Sequence, residues 1–239
     1  MKNYNYNCNE KKLVQLQELY CKDNSSYICK VLELPNKSLV SSDNNHILIW
    51  NKSINDKFEI IQDISDFGGV MQHLALINEK YIVCHNNSGI LRIYNCLDNF
   101  KLEKEIKNIF SYAYMHRFCI ISPDIFCLAG DQYIYLFSII KMELIQSNKV
   151  EYLKFHCIII LPNNTILCGA YQNENLCHLI QFQIDENSQI KEISRKEKVH
   201  STIIWQLAYL FNKDNLNEII SVSDDSYIKI WELDFNNNN

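Results

Sequence analysis

The chain has 239 residues, with 28 acidic side chains against 23 basic ones and a formal net charge of -5. No long run of Lys or Arg occurs, so broad phosphate-driven binding to nucleic acid or to an anionic membrane surface is disfavoured. No apolar stretch approaches the roughly 20 residues that span a bilayer, and the first six residues lack the apolar core of a signal peptide, so a cytoplasmic or cytoskeletal location is expected.

In chain order, residues 1–10 are polar and are expected to be disordered. Residues 12–19 read as one isolated strand of mixed polar and apolar residues. Residues 29–40 form an apolar strand, a polar turn at Pro35-Asn36-Lys37 and a second apolar strand. The second strand continues through a Ser/Asp/Asn turn into a third, which ends on Trp50. A polar strand comes next at 57–64. The pattern then repeats. Residues 73–84 carry their turn at Asn78-Glu79-Lys80, the third strand ends on Tyr94, and the polar strand is 100–106. A third copy has its first strand at 118–121, its strand pair at 125–137 closing on Phe137, and its polar strand at about 141–147. A fourth runs from 157 to 168 with the turn Pro162-Asn163-Asn164. Its strand pair closes near Phe182, with residues 172–175 lengthening the turn, and its polar strand is near 189–194. The last copy has strands at 206–211 and 219–231, closes on Trp231 and lacks a polar fourth strand. Residues 236–239 are an Asn tail, expected to be disordered. The turns use the residues that tight turns favour, and charged alternating strands suit an outer edge with one side in water.

The closing aromatics Trp50, Tyr94, Phe137, Phe182 and Trp231 recur every 43 to 49 residues. A period near 40–45 with several short strands per repeat is the pattern of propeller blades. Residues 12–19 lie about one period before residue 57, in the register of an outer strand. A ring whose last blade borrows that strand has no open edge. The expectation is therefore one all-β domain over 11–235, a propeller of about five blades closed by the N-terminal strand against the last blade.

The segment Ile219-Ile220-Ser221-Val222-Ser223-Asp224-Asp225-Ser226-Tyr227-Ile228-Lys229-Ile230-Trp231 resembles the signature of a WD40 repeat, with Trp231-Glu232 where that family has Trp-Asp. The resemblance covers nearly the whole chain, through this repeat, a fair copy ending at Trp50, and three copies carried by periodicity. It implies that His200, Ser221, Asp225 and Trp231 form a structural hydrogen-bonded set, since a buried carboxylate needs donors. In the other repeats Asn44 and Ser88 replace the turn Asp, and Asp131 keeps it. A catalytic Ser-His-Asp triad is the competing reading of the same residues.

The family resemblance further implies a non-catalytic scaffold for protein–protein interaction, a subunit of a larger complex with a protein or peptide partner and no cofactor. In such rings the turns between second and third strands share a face with the segments that lead into each first strand. That face would hold Tyr27, Asn44, His46, Met71, Asn87, Tyr114, Met115, His116, Asp131, Trp205 and Asp224, among which the aromatics and Met are good anchors. Two alternatives stand beside this reading. One is a hydrolase acting through a central channel, for which Glu33 is the only acid on the innermost strands and Asp131 a second candidate. The other is a fragment completed by a partner chain. The ten cysteines include no Cys-x-x-Cys pair. Cys84, Cys127 and Cys168 share the strand place of Ser221, so they are expected in separate blades, far apart, as reduced apolar fillers with no metal.

Overall fold

The computed structural model describes residues 17–19, 28, 30–65, 67–109, 117–151, 153–173, 176–211 and 217–232. Four antiparallel four-stranded sheets and one of three strands succeed one another along the chain. The first blade comprises β1 (Lys30–Glu33), β2 (Leu39–Ser42), β3 (Ile47–Lys52) and β4 (Phe58–Ile64). The second comprises β5 (Met71–Ile77), β6 (Tyr81–Asn86), β7 (Leu91–Asn95) and β8 (Lys101–Ile106). In the third are β9 (Arg117–Ile120), β10 (Ile125–Gly130), β11 (Tyr133–Ser138) and β12 (Glu143–Lys149). The fourth holds β13 (Lys154–Ile160), β14 (Ile166–Asn173), β15 (Leu176–Ile184) and β16 (Ile190–His200). The fifth has only β17 (Ile204–Phe211), β18 (Asn217–Ser223) and β19 (Ile228–Glu232) among the described residues.

The two central strands of the second, third and fourth blades are apolar on both faces because each of these blades lies between two neighbours. Side chains alternate across a strand, so successive residues serve different cores. Ile82 and Cys84 pack with Val40, Ile47 and Ile49 of the first blade, whereas Val83 between them packs with Phe126 and Leu128 of the third. Cys127, between those two, turns to the fourth blade and meets Ile166, Cys168 and Phe182. Leu167 and Leu179 complete the series against Ile204, Leu207 and Ile219 of the fifth. The outer strands β8 and β12 are largely exposed and polar, while β4 is more apolar and only partly exposed, with Ile61 in solvent.

The first-to-second-strand turns owe their shape to residues that tolerate a left-handed backbone. Lys37, Asn78, Glu79 and Asn164 all have positive φ. Asn36 accepts from the Ser38 N–H at 3.1 Å, and Asn163 accepts from the Thr165 N–H at 3.2 Å, so the first and fourth blades use the same Asn device.

Three features depart from the sequence expectation. β16 does not stop near 194 but runs to His200, whose Cα pairs with Cys177. The cysteines are not all far apart: Cys119 and Cys127 are register partners, and Cys127 and Cys168 share one core. Repeat-equivalent positions on neighbouring blades meet across the blade interface, which repeat spacing alone hides. Their thiols remain free, and burial pushes Cys127 and Cys168 well above the ordinary thiol range. Finally, only residues 17–19 of the expected N-terminal strand are described. The Gln17 carboxamide clasps the first blade at Phe58, accepting its N–H at 2.9 Å and donating to its carbonyl at 2.8 Å. Among the described residues β19 pairs with β18 alone. Residues 1–10 and 236–239, expected to be disordered, lie outside the described residues.

Candidate functional site

The fifth repeat assembles its polar set inside the fold. Trp231 Nε1–H donates to Ser221 Oγ at 2.8 Å. Ser221 Oγ and His200 Nε2 are 2.7 Å apart, and His200 Nδ1 lies 2.8 Å from Asp225 Oδ2. Asp225 can only accept, so Nδ1 carries the proton and neutral Nε2 accepts from the Ser221 hydroxyl. Every member thereby has a partner, as a buried network requires. The Ser201 and Tyr227 N–H groups also donate to Asp225, at 3.2 and 3.1 Å. Burial raises the Asp225 pKa, but the hydrogen bonds from His200, Ser201 and Tyr227 outweigh it, and the carboxyl is held below its ordinary value.

The other blades keep parts of this arrangement. In the first, Trp50 Nε1–H donates to buried Ser41 Oγ at 2.8 Å. Its turn is capped by Asp43, not by Asn44 as the repeat alignment implied. Asp43 Oδ1 accepts from the N–H groups of Asn45 and His46 at 2.9 and 2.8 Å. This turn is one residue shorter than that of the fifth blade, which shifts the capping place. In the second blade Asn86 Oδ1 does the same for Ser88 and Ile90, each at 3.0 Å.

Turns between second and third strands meet the segments leading into the following blade through main-chain bonds. Met71 N–H donates to the Asn44 carbonyl at 2.9 Å, Ile109 N–H to Gly89 at 3.2 Å, and Phe155 N–H to Asp131 at 3.2 Å. Within the second blade, Asn87 ties the turn back to that blade's own lead-in, accepting the Val70 N–H at 2.9 Å. The three main-chain bonds latch each of the first three blades to the next segment of chain.

Of the residues expected on the binding face, Asn44, His46, Asn87 and Asp131 are partly exposed and Asp224 is exposed. His46 is tied down by its ring, whose Nδ1 is 2.8 Å from Asp63 Oδ1. Met71 requires correction: it is 1% exposed and belongs to the core between the first and second blades. Its main chain lies on the expected face, but its side chain turns inward. Tyr27, Tyr114, Met115 and His116 lie outside the described residues. Trp205 lines a different feature, a cavity bordered by the inner strands, with its ring and that of His156 in a T-shaped pair at 6.1 Å between centroids.

Two concavities surround these residues. The larger, about 640 Å³, is a groove on the third blade. Asp131 stands in it beside Tyr133 and Tyr135, whose rings stack at 5.5 Å, with Leu144, Lys149 and Lys154 around them. Burial raises the Asp131 pKa, and the charge of Lys154 partly opposes that rise. The smaller, about 330 Å³, is bordered by all five inner strands through Lys30, His73, Arg117, Cys157 and Trp205. Burial, with the charges of His85, Arg117 and Lys30, lowers the His73 pKa to about 3. His156 is lowered to about 4 by burial and by Lys154 and Arg117. Sequence reading screened the inner strands for acids and passed over these bases. A signal was there: Lys30 and Arg117 each stand 20 residues before the closing aromatic of their repeat. Glu33 points elsewhere, to a surface ion pair with Lys37 at 2.9 Å. Among the described residues no group of three or more His, Cys, Asp or Glu side chains is placed to hold a metal ion.

No protein-family model matches the chain, and no curated protein does. Among solved structures it is similar to the WD40 beta propeller domain of Doa1, with a TM-score of 0.62 at 13% identity, over 85% of this chain and 62% of that one. The chain thus spans less than two thirds of the length of that domain. At this identity the likeness speaks to fold alone, an all-β assembly of antiparallel four-stranded sheets of the β-propeller type.

Proposed function

We propose that the chain is a non-catalytic protein-interaction scaffold of the WD40-repeat kind, a subunit of a larger cytoplasmic or cytoskeletal complex that binds a protein or peptide segment. The groove on the third blade carries this reading. It joins Asp131, one of the residues expected at the binding face, to two stacked tyrosines and to Leu144, with Lys149 and Lys154 beside them. Such a groove offers rigid aromatic area for anchoring and charges for register. The main-chain latches between blades fix this face before a partner arrives, so little ordering entropy is lost on binding. The absence of catalysis is supported by Ser221, which is closed to solvent and capped by Trp231, and by Glu33, which is engaged with Lys37 on the surface. No helix among the described residues is long and apolar enough to cross a membrane.

The test is affinity capture from native lysate with quantitative mass spectrometry, run beside a Tyr133→Ala, Lys149→Glu variant that keeps its circular dichroism. A stoichiometric partner lost with the variant is the expected result. A partner retained equally by both proteins would move the site away from the groove, and turnover of a small-molecule panel abolished by Asp131→Asn would replace the scaffold by the hydrolase reading.

We propose also that the five blades form a ring completed by residues 12–19 as the fourth strand of the last blade. All five inner strands border one cavity, and Gln17 stands against the first blade, which would adjoin the last in such a ring. A second reading, completion by a partner chain, is favoured by the outward face of the fifth blade. Ile228 and Ile230 there are 69% and 62% exposed. Light scattering separates the two: a monomer that loses its cooperative melt on deletion of residues 1–19 supports self-closure, and a stable dimer of the intact chain supports completion in trans.

A further inference from the structure

The central cavity carries charge of one sign. Lys30 opens β1 and Arg117 opens β9, two blades apart, and both border the cavity. No Asp or Glu is among its described lining residues. Neither cation takes part in an ion pair among the described residues. In a chain with more acids than bases, two cations that share one concavity with no counter-charge among the described residues repel each other and attract an anion. Lys30 is exposed and Arg117 partly exposed, so both are open to a ligand from solvent.

Neutral hydrogen-bonding groups lie beside the two cations. His73 borders the cavity, and its Nδ1 is buried without a hydrogen-bond partner among the described residues. Gln206 contributes an exposed carboxamide, while Trp205 and Phe118 supply aromatic walls. The field of the cations reaches further than the lining, since Arg117 depresses both His73 and His156.

We propose that the central cavity binds a small phosphate-bearing molecule, its phosphate bridging Lys30 and Arg117 with His73 and Gln206 as neutral partners. A guanidinium fork matches phosphate oxygens in pairs, and an ammonium adds a point charge. A phosphate presents oxygens in three directions, so it serves cations on different walls, which a planar carboxylate does less well. The volume of about 330 Å³ lies at the small end of ligand sites, roughly 300–1,000 Å³. It suits a phosphorylated metabolite or free phosphate and excludes a folded partner. The site is separate from the peptide groove on the third blade.

Calorimetric titration at constant ionic strength tests this, using inorganic phosphate, ribose 5-phosphate and, as a dicarboxylate control, succinate. Saturable binding of one or both phosphates is expected, with succinate at least about tenfold weaker and the signal lost in Lys30→Gln, Arg117→Gln. Tighter binding of ribose 5-phosphate than of phosphate would identify an esterified ligand, and the reverse order the free ion. If the double variant does not fold, Lys30→Gln alone serves, since Lys30 is exposed, and a Kd weakened about tenfold is expected. Absence of binding to the native protein, equal binding of succinate, or a Kd unchanged by Lys30→Gln would overturn the proposal.

Discussion

The interface between the third and fourth blades and the fifth blade are held by different physics. The first is a dry core in which Phe155 and Phe182 meet edge-on at 6.0 Å and Cys127 and Cys168 fill the gaps between strands. The fifth blade has a thinner core on one side and open apolar surface on the other, and among the described blades it alone carries the complete His200–Ser221–Asp225–Trp231 set. The contrast teaches where a repeat can lose its polar residues. A blade buried on both faces has its strands fixed by packing, so Cys replaces Ser without loss of order. A blade buried on one face needs directional bonds to fix its turn and its closing Trp.

The contrast can be broken first on the packed side. Phe182→Ala should destabilise by about 3–5 kcal/mol, read from urea denaturation, because Phe182 is fully buried and its neighbours come from two blades. Acid is the next lever. The His73 and His156 pKa values, lowered to about 3 and 4, mean that unfolded chains bind more protons than folded ones below the unfolded value near 6.5. Stability therefore falls as pH drops from about 6.5 toward 4, by about 1.4 kcal/mol per pH unit for each imidazole. A His73→Gln variant should show a shallower decline between those limits, and an unchanged slope would show that His73 is not buried neutral. Asp225 acts lower: its depressed pKa gives stability that is present above about 3.8 and lost as pH falls through the folded value.

On the polar side, Asp225→Ala leaves the His200 ring and two main-chain N–H groups without their acceptor, at a cost of about 1–3 kcal/mol. A double-mutant cycle with Ser221→Ala should show coupling, whereas the same cycle between Asp225 and Ser41 of the first blade should be additive. Gly169 probes the thinner core, between the fourth and fifth blades. A Cβ there would clash with Cys157 Sγ and meet Ile204 Cβ at 3.1 Å. Gly169→Ala should cost about 1–3 kcal/mol, and adding Cys157→Ala should recover part of it. Least of all, Glu33→Gln should leave the melting temperature unchanged within error, because its partner Lys37 is on the surface and such pairs contribute little.

The strands and their order were legible in the sequence because a blade repeats both its turn chemistry and its closing aromatic. The acceptor of Trp231 was legible through the family resemblance, whereas that of Trp50, Ser41, was not, although a buried indole N–H needs one. Side-chain direction was less legible. Met71 and Asp131 occupy comparable places beside the turns, yet one turns into the core and the other into a groove, and only the three-dimensional path decides which. The shift from Asn44 to Asp43 reflects a turn shortened by one residue, a difference hidden when repeats are aligned on their aromatics. The proximity of Cys127 to Cys168 came from stacking neighbouring blades, which no spacing within one repeat reveals. The cations of the central cavity were visible as residues but not as neighbours, because β1 and β9 are joined only by the curvature of the whole array.

The latches between blades also bear on how the molecule is made. In each, the acceptor is a turn carbonyl of the earlier blade and the donor an N–H from later in the chain: Asn44 before Met71, Gly89 before Ile109, Asp131 before Phe155. A ribosome delivers them in that order. Each finished hairpin presents its carbonyl as the next lead-in emerges, so the array can zip from its first blade onward while synthesis continues.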